Sequence, residues 1–309
     1  MNYWLGRALT LALSAMLAST VQAAETVIAS NVHGPEGPLF VDGKLYYVAW
    51  SPGSLSVWDG KTSKVINDAP GCSHNGLALT RQHTLLLACS DAHGAIVELD
   101  LAGKVLRRWQ ADDRGQGFNG GINDIVVAAN GGAYATVFGP FTEKPTGIIG
   151  RVVYMAPGSD SWTEVANDIN YANGVAVSPD QKTLYVDEMA SDAIITFAIG
   201  PDGKLSNRAN FVRLDLLAPT KAQKWWAGPD SLKVDGKGNL YVAQYYGGRI
   251  LKISPEGSLL YVFDIAAGNG TTNIAFGPGE KELYVSVVKN GDDLAGEASG
   301  SIVRISNVP

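Results

Sequence analysis

The stretch Asn173-Gly174-Val175-Ala176-Val177-Ser178-Pro179-Asp180-Gln181-Lys182-Thr183-Leu184-Tyr185-Val186-Asp187 holds two apolar alternations of period two around a polar turn. That pattern reads as a β-hairpin. Five more copies occur along the chain. Each has a short polar residue, an apolar alternation, a turn, and a second strand usually written Leu-Tyr-Val. They open at Glu36, Asn75, Asn123, Asp230 and Asn273, and their second strands begin at Leu45, Leu85, Ala133, Leu240 and Leu283. Successive polar residues stand 39, 48, 50, 57 and 43 apart, which is the size of a propeller blade.

A third strand follows each hairpin: 54–59, 95–100, 151–155, 193–198, 249–254 and 301–306. A fourth follows in the first five copies, for example 105–110 and 259–265. The sixth copy reaches only its third strand, and Glu25-Thr26-Val27-Ile28-Ala29-Ser30-Asn31 is the strand left over. Pairing the two closes the ring and removes open sheet edges. The expected fold is therefore all-β: a six-bladed β-propeller with four-stranded blades, closed by its N-terminal strand. No segment sustains a 3.6-residue apolar period, so helix should be nearly absent.

The segment before that strand reads as a leader. Arg7 precedes an apolar run from Ala8 to Val21, and Val21-Gln22-Ala23 resembles a small-residue cleavage site. The expected organisation is a signal peptide over 1–23 and one propeller domain over 24–309, periplasmic or secreted, with no membrane span. Composition agrees with a turn-rich globular protein, since 36 of 309 residues are Gly and only 17% are charged. A net charge of -6 without a Lys/Arg patch argues against nucleic acid as a partner.

In a propeller the first strand of each blade is innermost, so Glu36, Asn75, Asn123, Asn173, Asp230 and Asn273 should converge on the channel. Two carboxylates and four amides make a ring of hard oxygen donors suited to Ca²⁺ or Mg²⁺. Asn and Asp before a strand also make turns on their own. Six in register favour the ring. Two Cys and the scattered His33, His74, His83 and His93 offer no zinc pattern. Gly115-Gln116-Gly117-Phe118-Asn119-Gly120 matches a dinucleotide fingerprint in letters, but a strand follows it, so no helix N-terminus is available for a pyrophosphate. The acidic stretch Asn290–Glu297 reads as an exposed loop rather than a second Ca²⁺ site. Cys72 and Cys89 are candidates for a disulfide. With the hairpin turning at 81–84, Cys89 should face Gly76, so bridging requires the loop before Asn75 to fold back.

Over essentially the whole propeller the sequence resembles the gluconolactonase, senescence-marker-protein and luciferin-regenerating-enzyme family. The resemblance rests on Pro35-Glu36-Gly37-Pro38, Asn123-Asp124, the stretch from Ala172 to Asp180, and Gly228-Pro229-Asp230-Ser231. Tyr245-Tyr246-Gly247-Gly248-Arg249-Ile250-Leu251 looks closest to the drug-responsive lactonase branch. The resemblance implies a lactonase in which Glu36, Asn173 and Asp230 ligate one divalent cation. Ca²⁺ stands foremost, with Mg²⁺, Mn²⁺, Zn²⁺ or Fe²⁺ as alternatives. Asn123 is implied as a further ligand or substrate contact and Asp230 as general acid/base. Asn75 and Trp225, the latter beside Trp226 in the stretch before the fifth blade, are candidate substrate contacts. Trp225-Trp226 reads equally as an apolar lid and as packing between blades. The paraoxonases, propellers of the same kind, carry a His pair in the second blade, which makes His74 a second candidate catalytic group. His93 is out of register with their second His. Sugar-lactone members place an Arg two residues before the third-blade asparagine. Here Gly121 stands there, which shifts the expected small-molecule substrate toward a less polar lactone. The alternatives are aryl-ester or phosphotriester hydrolysis on the same metal, and a non-catalytic ligand-binding propeller.

Overall fold

The structure is a computed structural model that describes residues 24–309, except 69–70, 92, 141–146, 223 and 294–298. The expected leader over 1–23 and Glu297 lie outside the described residues. Six antiparallel four-stranded sheets are arranged as a six-bladed β-propeller. The innermost strands are Pro35–Val41, His74–Leu79, Ile122–Val127, Ala172–Val177, Pro229–Val234 and Gly270–Phe276. In the sixth sheet Glu25–His33 pairs with Ser299–Ser306, so the N-terminal strand closes the ring as expected. Among the described residues the helices are single turns at 189–191, 214–217 and 278–280. None is long and apolar enough to cross a membrane.

The core lies between blades. Each strand buries one face against the next sheet, as with Val48, Leu55, Leu85, Leu87 and Val97 between the first two blades. Five more such layers complete the circle, the last joining Tyr284 and Ile302 to Leu45 and Tyr47. Because each layer needs both neighbours, the ring buries its apolar surface only when closed.

All six inner strands carry a β-bulge near the top of the channel, with one residue more than the strand beside it. The register slips between Glu36 and Leu39, His74 and Leu77, Ile122 and Ile125, Ala172 and Val175, Pro229 and Ser231, and Thr271 and Asn273. A bulge re-aims a side chain and leaves a backbone N–H without its ladder partner. Neighbouring side chains take those hydrogens: Gly174 N–H donates to Asp187 Oδ2 (2.9 Å), Asp124 N–H to Thr136 Oγ1 (3.1 Å) and Asn273 N–H to Ser286 Oγ (3.1 Å).

The bulges correct two expectations. In register, the sixth-blade equivalent of Glu36, Asn75, Asn123, Asn173 and Asp230 is Thr272; Asn273 lies one residue deeper. Cys89 faces His74 rather than Gly76, one residue of the shift coming from the bulge and one from the turn, where Leu79 pairs with Leu85. That brings it within reach of Cys72, and the two are joined in a disulfide with Cα atoms 4.8 Å apart.

Candidate active site

One mouth of the channel opens into a cavity of about 230 Å³. Glu36, Asn75, Asn123, Asn173 and Asp230 all line it, one from each of the first five blades. Asn173 Nδ2 donates to Asp230 Oδ1 at 2.9 Å. This hydrogen bond fixes the amide so that Asn173 Oδ1 is buried with no hydrogen-bond partner. A buried acceptor without a donor is costly, and here it sits in a ring of oxygen donors.

The electrostatics point the same way. Burial, reinforced by the nearby Asp124, pushes the Glu36 carboxyl up to about 7, against the N–H of Gly37 that donates to it at 2.7 Å. Burial and the neighbouring Glu36 raise Asp230 well above the ordinary carboxylate range. Burial and Asp230 do the same to Asp187, behind the ring. Buried carboxylates crowded in this way are relieved by a cation. Among the described residues no three His, Cys, Asp or Glu side chains group as a metal site. The donor set present combines two carboxylates with amide oxygens, which suits a hard divalent ion.

The rest of the wall is apolar: Trp50, Phe138, Tyr171, Met189, Trp226 and Tyr245. Ser73 and Ser90 complete the lining. Most of these residues escaped the sequence reading, although their positions are regular. Trp50, Ser90, Phe138, Met189 and Tyr245 each stand five residues after the first residue of their blade's second strand motif, just past the strand end. Ser73 and Tyr171 stand two residues before the ring position.

The family model for the SMP-30/Gluconolactonase/LRE-like region matches residues 34–289. The chain belongs to this family. Lactonase drp35 of Staphylococcus aureus (strain MW2) is 33% identical over 138 residues, covering 44% of this chain and 39% of that protein. The chain spans under half the length of the curated relatives it matches. A gluconolactonase from Xanthomonas campestris superposes with a TM-score of 0.74 at 22% identity, over 96% of this chain and 94% of that one. The calcium-binding protein regucalcin from Agrobacterium tumefaciens gives 0.73 at 20% identity, over 94% and 95%. These two likenesses show the fold.

Within this SMP-30/gluconolactonase frame, two of the residues singled out from sequence lie off the cavity wall. Ser73 and Asn75 face the cavity, and strand alternation turns His74 the other way. The His74 ring is buried, its Nδ1–H donates to the Cys72 carbonyl at 2.7 Å, and burial lowers its pKa. It therefore braces the disulfide loop between the first two blades. Trp226 lines the cavity, whereas Trp225 packs edge-on against Tyr171 with ring centroids 4.7 Å apart. At Gly121 (φ +105°) a Cβ would fall 2.7 Å from Ser90 Cα. The backbone here cannot carry the arginine that sugar-lactone members place at this point. In the fingerprint-like loop the Gly117 carbonyl accepts from Arg151 Nη2 at 2.7 Å, and the strand Ile122–Val127, not a helix, follows it. Asp292 accepts from Tyr246 Oη and lies 3.5 Å from Lys224, as part of a rim loop.

Proposed function

We propose that this propeller is an exported, metal-dependent hydrolase that opens lactone rings. The observation that carries the reading is the convergence of Glu36, Asn123, Asn173 and Asp230 on one cavity, with Asn173 Oδ1 buried and unpaired. The relatives, a lactonase and a gluconolactonase, support the reaction class, and the likeness to the calcium-binding regucalcin supports calcium. Glu36, Asn173 and Asp230, with Asn123 as a further donor, would hold one divalent cation. When bound, that ion supplies Lewis-acid polarisation of the lactone carbonyl.

The chain's own groups supply the rest. Hydrolysis adds water to the carbonyl carbon, breaks the ring C–O bond and returns a proton to the leaving oxygen. Asp230, which lines the cavity and is held there by the Asn173 amide, is the group we assign to accept and return that proton. Asn75 and Asn123 offer amide hydrogens to the substrate's oxygens. The aromatic wall with Met189 excludes water and favours an apolar ring system over a polyhydroxylated one. Among the described residues that line the cavity, none carries a positive charge to recognise an acidic substrate. Export is supported by the Arg7–Ala23 leader pattern and by the Cys72–Cys89 disulfide, which belongs to an oxidising compartment.

The test is an assay of a lactone panel, with aryl esters and phosphotriesters alongside, before and after chelation. Lactones should be hydrolysed fastest, activity should vanish with chelator, and Ca²⁺ or another divalent ion should restore it. Full activity in chelator would defeat the metal reading; preference for phosphotriesters would defeat the lactone reading.

A further inference from the structure

Below the ring of oxygen donors the six inner strands present two more layers. The first consists of Gly37, Gly76, Asp124, Gly174, Ser231 and Asn273, by the same register. Its three side chains form a connected floor. Ser231 Oγ lies 2.9 Å from both Asp124 Oδ2 and Asn273 Oδ1, and Ile125 N–H donates to Asp124 Oδ1 at 2.9 Å. The glycines make room for it: a Cβ on Gly76 would lie 2.7 Å from Asp124 Cα.

Two residues deeper than the floor the register gives Leu39, Ala78, Val126, Ala176, Lys233 and Ala275. Five apolar side chains and one lysine share that ring. The first five of these positions line a separate cavity of about 310 Å³ at the opposite end of the channel. Apolar surroundings are a poor place for an ammonium unless it has a partner. Lys233 Nζ reaches up to Asp124 Oδ2 at 3.2 Å and to Ser231 Oγ at 3.4 Å.

The charge count explains why a lysine stands there. Glu36, Asp124, Asp187 and Asp230 are all buried, and each interacts electrostatically with at least one of the others. Among the described residues Lys233 is a cation that acts on them from the chain itself: it contacts Asp124 and is also felt by Glu36. We propose that Lys233 is a positioning residue: a resident cation that holds the acidic floor and the donor ring above it assembled in the metal-free protein. This inference rests on the proposed metal site only for its second consequence, that the ring is ready to receive a divalent ion without refolding.

The experiment is a set of thermal melts of the full-length protein at neutral pH, in chelator and in millimolar Ca²⁺. In chelator Lys233→Met should melt about 5 °C or more below wild type, because it strands a buried carboxylate beside three others. The double variant Lys233→Met/Asp124→Asn should recover most of that loss, since it removes both charges. Mere packing of the lysine stem would not be rescued by a change at Asp124. A Lys233→Met protein melting within 1 °C of wild type, or a double variant no better than the single, overturns the proposal. If Lys233→Met fails to fold, a folded double variant and a wild-type-like Lys233→Arg support it, and an unfolded double variant overturns it. Ca²⁺ should raise the melting temperature of Lys233→Met more than that of wild type. If Ca²⁺ moves neither, the metal reading falls, and the melts in chelator still decide the role of Lys233.

Discussion

The two ends of the central channel are built from the same six strands and differ in almost every chemical respect. At the upper mouth the bulged residue of each of the first five blades turns a carboxylate or amide inward, under an aromatic wall. At the lower end, three residues further along each strand, the side chains are aliphatic apart from Lys233. The backbone at both ends obeys one six-fold rule, so the fold does not choose where chemistry occurs. The bulge does. It is the point where each strand departs from its ladder, and there a polar side chain faces the axis instead of a neighbouring sheet. Among the described residues the upper end thus carries crowded buried carboxylates and two unpaired buried oxygens, Asn173 Oδ1 and Asp187 Oδ1, and function is expected where such costs gather.

The largest effect should come from Asp230→Asn. The amide keeps an oxygen to accept from Asn173 Nδ2, so the ring geometry survives, but neither a charged ligand nor a proton acceptor remains. Turnover of a good lactone should fall about 10²- to 10⁴-fold with the melting temperature unchanged or raised. A variant within threefold of wild-type turnover would move the proton transfer away from the ring.

Next in size is a pH effect on the metal-free protein. Glu36 holds its proton up to about 7 in the folded state, against 4.5 as its ordinary value. The folded form therefore binds more protons than the unfolded form between those values. The resulting stabilisation is fully present below pH 4.5 and is lost as pH rises through 7. Asp230 and Asp187 are shifted in the same direction. In chelator the unfolding free energy should thus fall on going from pH 5 to pH 8, by on the order of 3 kcal/mol for Glu36 alone. Glu36→Gln should flatten that slope, and a bound divalent ion should reverse it. A slope that rises with pH in chelator would contradict the crowded-acid picture of the upper end.

What could be read beforehand follows from where the information sits. The propeller, its blade count and its closure by Glu25–His33 were legible because six hairpins repeat the same period-two alternation. Glu36, Asn75, Asn123, Asn173 and Asp230 were legible because a polar residue opens each copy. Asn273 was misplaced by one residue because a bulge adds a residue without changing the letters around it; Thr272 occupies the ring register instead. The same slip, with a hairpin turn one residue earlier than expected, hid the Cys72–Cys89 pairing. The aromatic wall was missed for another reason. Trp50, Phe138, Met189 and Tyr245 differ in type, and only their shared offset from the second strand marks them as a set. Lys233 was invisible in sequence because one lysine in an alternating strand reads as solvent-facing.

The smallest expected effect is the most discriminating for the mouth itself, because it separates two adjacent residues of one type. Trp226 lines the cavity, with Lys224 Nζ 5.3 Å from its ring centroid and Trp225 edge-on at 5.5 Å. Trp225 instead meets Tyr171, whose own ring packs on Phe138 at 5.1 Å. Trp226→Ala removes cavity-lining surface that a bound substrate would cover, so KM for an apolar lactone should rise about tenfold with kcat little changed. Trp225→Ala removes support from behind the wall, so it should lower the melting temperature and change KM by less than threefold. If Trp225 proves the stronger determinant of KM, the wall moves on binding and Trp225 reaches the substrate in that state. If neither matters for apolar lactones while a polyhydroxylated lactone is turned over well, the apolar end of the site is scaffold, and the difference between the two ends of the channel narrows to the donor ring alone.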